Sequence, residues 1–277
     1  MSRMQSILDK AERDGAVLRL RPLPDQDMAG VVGTAGAVGG VGTFDEPPLT
    51  VTEPSRSSAV KSAVPRRIDR ALVAAHSPDA VTARQYRGVC SRIVHADQGT
   101  PVKVIMITSP GHAEGKSVTA ANLALTIARE YQRPICLVDA NLRSPRLQEM
   151  FGLDTAEASP GLVDVLSGRA TLEQALTFIE PAGVTLLPAG DGAEHPAELL
   201  STPLMRRTID HLRSQFDRVV IDTPAALPMV DIGLLEPLAD RIVLVVRAGI
   251  TSKASIQDVV STIDAQRLLG VVLNEAA

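Results

Sequence analysis

The chain has 277 residues, of which 45% are hydrophobic, enough to form one sizeable domain with an extension. Its net charge of −4 argues against a nucleic-acid-binding surface. The two cysteines, Cys90 and Cys136, lack metal-ligand or CxxC spacing, and neither a membrane-length apolar run nor a signal peptide is evident. We therefore expect a soluble protein in a reduced cytoplasmic setting, and any peripheral association with the inner membrane would depend on a partner.

The N-terminal third is predicted to be an extension. Residues 1–15 are expected to form an amphipathic helix, because apolar side chains at positions 2–14 fall on one helical face. These are Met4, Ile7, Leu8 and Ala11. Residues 16–77 are predicted to be a flexible linker, since positions 21–68 are rich in Gly, Pro, Ser and Ala and show little periodicity. Residues 78–277 are then expected to form the folded domain.

Strands and helices alternate through this domain. A helix is predicted at 78–95. The expected strands are 102–108, 134–139, 184–188, 217–222, 241–247 and 269–274, and the further helices are 116–131, 202–215 and 253–267. Such alternation predicts an α/β fold with a mostly parallel sheet and helices on both faces. Ligands in such sheets bind at the carboxyl ends of the strands.

A phosphate-binding loop is predicted at Thr108–Ser117, between the first strand and the helix that follows it. The segment ends in Gly-Lys-Ser, in which glycine lets the backbone approach an anion, lysine reaches the outer phosphates and serine ligates Mg²⁺. The standard pattern places a glycine five residues before Gly115, where this chain has Pro110 and then Gly111. The apolar strand before the loop and the helical spacing after it support a P-loop NTPase-type fold.

Two carboxylates follow apolar strands farther along the chain. Asp139 follows the strand at 134–139, and Asp222 ends the strand at 217–222. Two carboxylates and a serine hydroxyl suffice for Mg²⁺, and one carboxylate is also able to orient or deprotonate an attacking hydroxyl. Alternatively, each aspartate caps a turn or a helix. Their paired occurrence favours the functional interpretation.

The three segments together resemble the nucleotide motifs of the bacterial tyrosine kinases of capsule and exopolysaccharide export, the CpsD/CapB and Wzc cytoplasmic-domain family. Thr108–Ser117 resembles their P-loop. Asp139–Arg143 resembles their second motif, DxDxR, and Asp222–Ala225 resembles their third, DxxP, with the proline one place early. The resemblance covers roughly residues 78–274, and the ordered set is more specific than any single motif.

This resemblance implies an ATP-binding protein-tyrosine kinase that uses Mg²⁺. Lys116 would bind the β- and γ-phosphates, Asp139 would act as a base or organise the metal, and Asp222 would hold Mg²⁺ through water. The implied metal-binding residues are Ser117, Asp139 and Asp222. The implied nucleotide-binding residues are Gly111, Glu114, Gly115, Lys116, Ser117, Val118, Arg143 and Asn274.

The last two of these residues have alternative roles. Arg143 is expected to steady either the second motif or the phosphates. Asn274 ends the final strand, at the place where related ATPases present an asparagine to adenine, and its alternative role is that of a strand-end cap.

Three departures from the family pattern bear on function. The second aspartate of DxDxR is Asn141, which offers an oxygen but cannot act as a base. The oligomerisation motif ExxRxxR corresponds to residues 84–90, which keep only Arg87, and this weakens the expectation of ring assembly. The C-terminal tyrosine cluster of the family has no counterpart, since no tyrosine follows Tyr131.

Two functions therefore stay open. One is a protein-tyrosine kinase whose substrate lies on another chain, and the other is a weakly catalytic, ATP-binding regulator of a polysaccharide export partner. That partner would be a membrane chain-length determinant, or polysaccharide co-polymerase, which docks on the N-terminal helix. A ParA/MinD-type ATPase is disfavoured, because no lysine precedes Lys116 within the loop. Self-association is left open.

Overall fold

A computed structural model describes residues 60–96, 101–153, 159–227 and 230–275. The helix predicted at 1–15 and most of the predicted linker lie outside the described residues. Within the described ranges, no helix has both the length and the apolar character needed to cross a membrane.

The described residues form an eight-stranded sheet. In chain order its strands are β1 (Lys61–Ala63), β2 (Val104–Thr108), β3 (Ile135–Asp139), β4 (Thr177–Ile179), β5 (Val184–Leu187), β6 (Arg218–Asp222), β7 (Arg241–Arg247) and β8 (Leu268–Asn274). The spatial order is β1-β4-β5-β3-β6-β2-β7-β8, and all neighbours are parallel except β4 and β5. The central strands β2 and β3 are buried along their whole length, as parallel strands covered on both faces should be.

Helices cover both faces of this sheet, which confirms the predicted fold class. They are α1 (Val73–His76), α2 (Val81–His95), α3 (Lys116–Tyr131), α4 (Leu147–Met150), α5 (Leu162–Leu166), α6 (Leu172–Ala175), α7 (Pro196–Leu200), α8 (Pro203–Gln215), α9 (Val230–Leu235) and α10 (Lys253–Thr262), with a 3₁₀ turn at Glu236–Leu238. One hydrophobic cluster joins α8 and α10 to the sheet, and a second joins α2 and α3 to it.

The helix predicted at 253–267 ends at Thr262, five residues early. The next residue, Ile263, has extended backbone and a buried side chain. The carboxylate of Glu236 accepts the N–H of Asp264 at 2.6 Å. The burial of Ile263 and this distant acceptor favour a turn over another helical turn.

Part of the predicted linker belongs to the folded domain. β1 pairs in parallel with β4, from Lys61 opposite Thr177 to Ala63 opposite Ile179. Farther along, the N–H of Asp69 donates to the carbonyl of Met150 at 2.8 Å. These partners lie about 80 to 120 positions away, so the local composition of the segment did not reveal them.

Asn122 on α3 holds the end of this segment in place. Its Oδ1 accepts the N–H of Ala74 at 3.0 Å, and its Nδ2 donates to the carbonyls of Ala71 at 3.0 Å and Val118 at 2.9 Å. The side chain of Asn122 therefore joins α1 to the helix that follows the predicted phosphate loop.

Replacement of Asn122 by alanine is expected to lower the free energy of unfolding by about 1–3 kcal/mol, because the buried N–H of Ala74 loses its acceptor. Urea denaturation measures the change. The control is Ser261→Ala, which removes an exposed helical hydroxyl and should change stability by less than about 0.5 kcal/mol. Equal effects of the two substitutions would contradict this role for Asn122.

Candidate nucleotide-binding site

The structure brings the three predicted motifs together at the carboxyl ends of β2, β3 and β6. These strands are neighbours, and the register places Asp139 beside Asp222 and Asp222 beside Ile107. The two carboxylates therefore lie on adjacent strands next to the start of the loop, at the sheet edge where parallel α/β folds bind ligands.

The loop connects β2 to α3 through two residues in left-handed conformations, Ala113 with φ 56° and Gly115 with φ 92°. A turn of this kind points successive N–H groups toward one side and forms an anion-binding concavity. The 16-residue helix α3 begins directly after it, at Lys116. Its N-terminal N–H groups and the positive end of its dipole add to the attraction for phosphate.

Pro110, which stands where the standard pattern has its first glycine, is held in the loop through its carbonyl group. Leu227 N–H donates to the carbonyl of Pro110 at 3.2 Å, and Ala226 N–H donates to that of Ser109 at 2.7 Å. These bonds tie the start of the loop to the segment that follows Asp222. Neither bond uses an N–H at position 110, so both are compatible with a proline at this position.

Gly115 lies against the side chain of Asn274. A Cβ added at this glycine would fall 2.1 Å from Nδ2 of Asn274, and the positive φ disfavours any larger residue. Asn274 Nδ2 also donates to the carbonyl of Glu114 at 3.0 Å. The end of β8 therefore supports the loop directly, and no sequence signal besides the position of Asn274 at the strand end indicated this contact.

Replacement of Gly115 by alanine is expected to weaken nucleotide binding at least about tenfold and to lower stability by about 1–2 kcal/mol, because the αL conformation is strained and Asn274 must move. Titration with a fluorescent ATP analogue and thermal unfolding measure the two effects. Gly88→Ala is the control, since Gly88 is exposed within α2 with open space around it. That change should raise stability by up to about 1 kcal/mol and leave binding unchanged.

Glu114 is committed to contacts within the protein. One carboxylate oxygen accepts the N–H of Gly111 at 3.0 Å, and the other accepts the hydroxyl of Thr251 at 2.6 Å. Thr251, which the sequence did not single out, also accepts the N–H of Arg247 at 2.9 Å. The side chain of Glu114 thus shapes the loop and joins it to the β7–α10 connection.

Lys116 is almost fully buried beneath the loop. Its Nζ donates to the carbonyl of Gly111 at 3.3 Å. Burial lowers the pKa of Lys116, and the carboxylates of Asp222 and Glu114 oppose that change. Ser117 and Val118, in the first turn of α3, are partly buried, and Val118 packs against the α2–α3 cluster.

Asp139 organises the loop that follows β3. Its carboxylate accepts the N–H groups of Asn141 at 3.2 Å, Arg146 at 3.2 Å and Leu147 at 3.1 Å. Burial raises the pKa of Asp139 to about 6, while these three bonds act in the opposite direction. Asp139 therefore caps a turn, as the alternative interpretation predicted, and it does so beside Asp222.

Asp222 is fully buried, and neither of its carboxylate oxygens has a hydrogen-bond partner among the described residues. Burial, and next the charge of Asp139, raise the pKa of Asp222 well above its usual range, whereas the neighbouring Ser117 hydroxyl and Lys116 ammonium act in the opposite direction. A buried carboxylate without partners is costly. A cation bound at this edge would offset that cost.

Two polar residues of the second motif are engaged within the protein. Arg143 donates from Nε and from one terminal nitrogen to the two carboxylate oxygens of Asp231, at 2.7 and 3.2 Å. Asn141 donates from Nδ2 to the carbonyl of Ser144 at 2.9 Å. Across the described part of the chain, no three His, Cys, Asp or Glu side chains converge as metal ligands. A metal here would rely on two carboxylates and a hydroxyl.

Comparison with known families and proteins gives a consistent result. An AAA domain family model matches residues 102–269. The tyrosine-protein kinase YwqD of Bacillus subtilis is 34% identical over 211 residues, which cover 75% of this chain and 87% of YwqD. The succinoglycan biosynthesis transport protein ExoP of Rhizobium meliloti is 35% identical over 225 residues. That match covers 78% of this chain but only 28% of ExoP.

Solved structures show the same fold. The chimerical protein CapA2B2 superposes with a TM-score of 0.68 and 28% identity, covering 78% of this chain and 92% of that one. The septum site-determining protein MinD of Pyrococcus horikoshii, in complex with Mg-ADP, superposes with a TM-score of 0.52 and 25% identity. The latter match covers 61% of this chain and 68% of that one.

Proposed function

Because this chain belongs to the AAA-domain bacterial tyrosine-protein kinases of capsule and exopolysaccharide biosynthesis, we propose that it binds ATP with Mg²⁺ and transfers the γ-phosphate to tyrosine on a protein. One observation carries the proposal for this chain. The loop, the buried Lys116, and the adjacent carboxylates of Asp139 and Asp222 meet at one edge of the sheet. An ATP molecule at this edge would therefore have a positive charge and candidate metal ligands close to its phosphates.

The loop and the N-terminus of α3 bind the phosphates in this proposal. The N–H groups of the Ala113–Gly115 turn face the anion, and Lys116 neutralises charge on the β- and γ-phosphates. Asn274, at the end of β8, supports Gly115, and it is also our candidate for contact with the adenine. Positioning and electrostatic stabilisation of this kind supply most of the catalysis in phosphoryl transfer.

Ser117, Asp139 and Asp222 fit a magnesium ion. The two oxygens of Asp222 lack partners, and a hard divalent cation prefers carboxylate and hydroxyl oxygens. When bound there, Mg²⁺ would neutralise charge that develops on the phosphates. Asp139 lies beside Asp222 on the neighbouring strand, where its carboxylate would either organise the metal or accept the proton of a tyrosine hydroxyl.

The second candidate function is a weakly catalytic ATP-binding regulator of a polysaccharide export partner. Asn141 favours it, because this residue replaces a carboxylate of the second motif and its amide bonds the carbonyl of Ser144. In either function we propose a membrane chain-length protein as the partner and the cytoplasmic face of the inner membrane as the place of action. ExoP supports this kind of partner, because it is a transport protein in which the segment that matches this chain makes up only 28% of the length.

Transfer of labelled phosphate tests the proposal. The purified protein is incubated with γ-labelled ATP and Mg²⁺, first with a random Glu-Tyr copolymer and then with the cytoplasmic segment of a membrane chain-length protein from the same organism. Phosphotyrosine on either acceptor, absent when EDTA is added, is the expected result. ATP binding without any phosphotyrosine would overturn the kinase and leave the regulator.

A further inference from the structure

Arg143 and Asp231 form an ion pair with two hydrogen bonds, which joins the loop after β3 to α9. These two segments follow the strands that end in the candidate catalytic carboxylates. Arg143 lies four positions after Asp139, and Asp231 lies nine positions after Asp222. The planar guanidinium donates to both carboxylate oxygens, at 2.7 and 3.2 Å. A paired contact of this geometry fixes orientation as well as distance.

The two partners differ in exposure. The side chain of Asp231 is 7% exposed, whereas that of Arg143 is 49% exposed. Breaking the pair would leave a buried carboxylate without its counter-charge, which is far more costly than the loss of a surface ion pair. The contact therefore holds α9 and the end of the β3 loop together more firmly than an exposed pair would.

We propose that Arg143 is a positioning residue, which acts through Asp231 to brace the loop after β3 against the segment after β6. In the segment after β3 that contains Arg143, the N–H groups of Asn141, Arg146 and Leu147 donate to the carboxylate of Asp139. A loosened brace frees those donors, and Asp139 then loses its fixed position beside Asp222.

This role differs from direct binding of the phosphates by Arg143. The guanidinium already directs Nε and one terminal nitrogen at Asp231, so its strongest donor pair faces protein. A phosphate-binding arginine would weaken ATP binding when it is removed, and removal of Asp231 would not reproduce that effect. A positioning arginine predicts that the two removals lower kcat and loosen the loop after β3 in the same way, although only the removal of Arg143 leaves a buried charge unpaired.

The test is a double-substitution cycle on the full chain with Arg143→Ala, Asp231→Asn and the two together. Its kinetic arm rests on the proposed kinase activity, and its second arm, amide hydrogen exchange, does not. We expect each single variant to lower kcat by about 10- to 100-fold, with ATP affinity within about twofold of the parent. The double variant should have the same kcat as each single variant, because either substitution alone already breaks the contact between Arg143 and Asp231.

In the exchange arm, the amides of Asn141, Arg146 and Leu147 should exchange at least about tenfold faster in all three variants. Arg133→Ala is the control, since Arg133 precedes the opposite end of β3 and its exposed side chain pairs with Asp217, and it should leave the exchange of these three amides unchanged. Two results would overturn the proposal: unchanged exchange in Asp231→Asn, or loss of ATP affinity in Arg143→Ala alone. If the parent protein transfers no phosphate, the exchange arm decides by itself.

Discussion

Lys116→Ala is expected to abolish ATP binding and phosphate transfer without unfolding the protein. Nζ of Lys116 donates to the carbonyl of Gly111 within the loop, and its positive charge acts on the carboxylate of Asp222. Loss of a charge that stabilises the transferred phosphoryl group lowers kcat by about 10²–10³-fold. Burial already lowers the pKa of this lysine, and Ser109 Oγ still donates to the carbonyl of Gly111 at 2.7 Å, so the fold loses little.

Calorimetric titration with Mg·ATP and the labelled-phosphate assay measure the two losses. Lys103→Ala is the matched control, because Lys103 precedes the opposite end of the same strand, β2, and its Nζ donates to the carbonyl of Arg213. That variant should bind and transfer like the parent. Unchanged ATP affinity in Lys116→Ala would refute the site.

Asp222→Asn is expected to inactivate the protein and yet stabilise it in the absence of metal. Asparagine keeps the shape of the side chain but removes a buried charge that has no hydrogen-bond partner. The gain in the free energy of unfolding should reach about 1–3 kcal/mol at pH 8, or roughly 2–4 °C in Tm per kcal/mol. Activity should fall because the proposed metal loses a carboxylate ligand.

The pH dependence gives this prediction its sign. The pKa of Asp222 is raised in the folded protein, so the folded state holds the proton more tightly than the unfolded chain, in which the pKa is about 4. The resulting stability is complete below pH about 4 and is lost as the pH rises through the folded pKa. Asp222→Asn lacks this loss, so its Tm advantage should be near zero at pH 4 and grow with pH.

Thermal unfolding in EDTA across pH 4–8 measures this difference. Titration of Asp139 lowers stability in the same direction between pH about 4 and about 6, and because its charge raises the pKa of Asp222, the measured difference includes the interaction between the two carboxylates. Asp217→Asn serves as the control, because Asp217 immediately precedes the other end of β6 and forms an exposed pair with Arg133. A Tm advantage that stays constant with pH would contradict the explanation.

The central strands were predictable because strands that are buried on both faces consist of apolar residues. Residues 104–107 and 135–138 are uninterrupted apolar runs, as parallel strands covered on both faces require. β1 and β4 were not predicted, since each has only three residues, and the partner of β1 lies more than 100 positions away. Strands this short carry too little periodicity to be distinguished from loops.

The candidate site divides in the same way. The P-loop, Asp139 and Asp222 follow recognisable strands, and the parallel sheet brings those strand ends together. The partners of Glu114 and Arg143 are Thr251 and Asp231, which lie 137 and 88 positions away. No spacing rule connects residues so distant, so the sequence predicted these two side chains as part of the site but gave no sign of the protein groups that they contact.

The position of β1 in the sheet has a consequence for folding during synthesis. Lys61 of β1, the first of the described strands, pairs opposite Thr177, so β1 must wait for 116 further residues before its neighbour is synthesised. Closure of so long a loop is slow, and the edge it completes is the part of a sheet that opens most readily. Ala71 and Ala74 reach their partner Asn122 after only about 50 residues. We therefore expect the described segment before α2 to pack on α3 first, and β1 within it to join the sheet last.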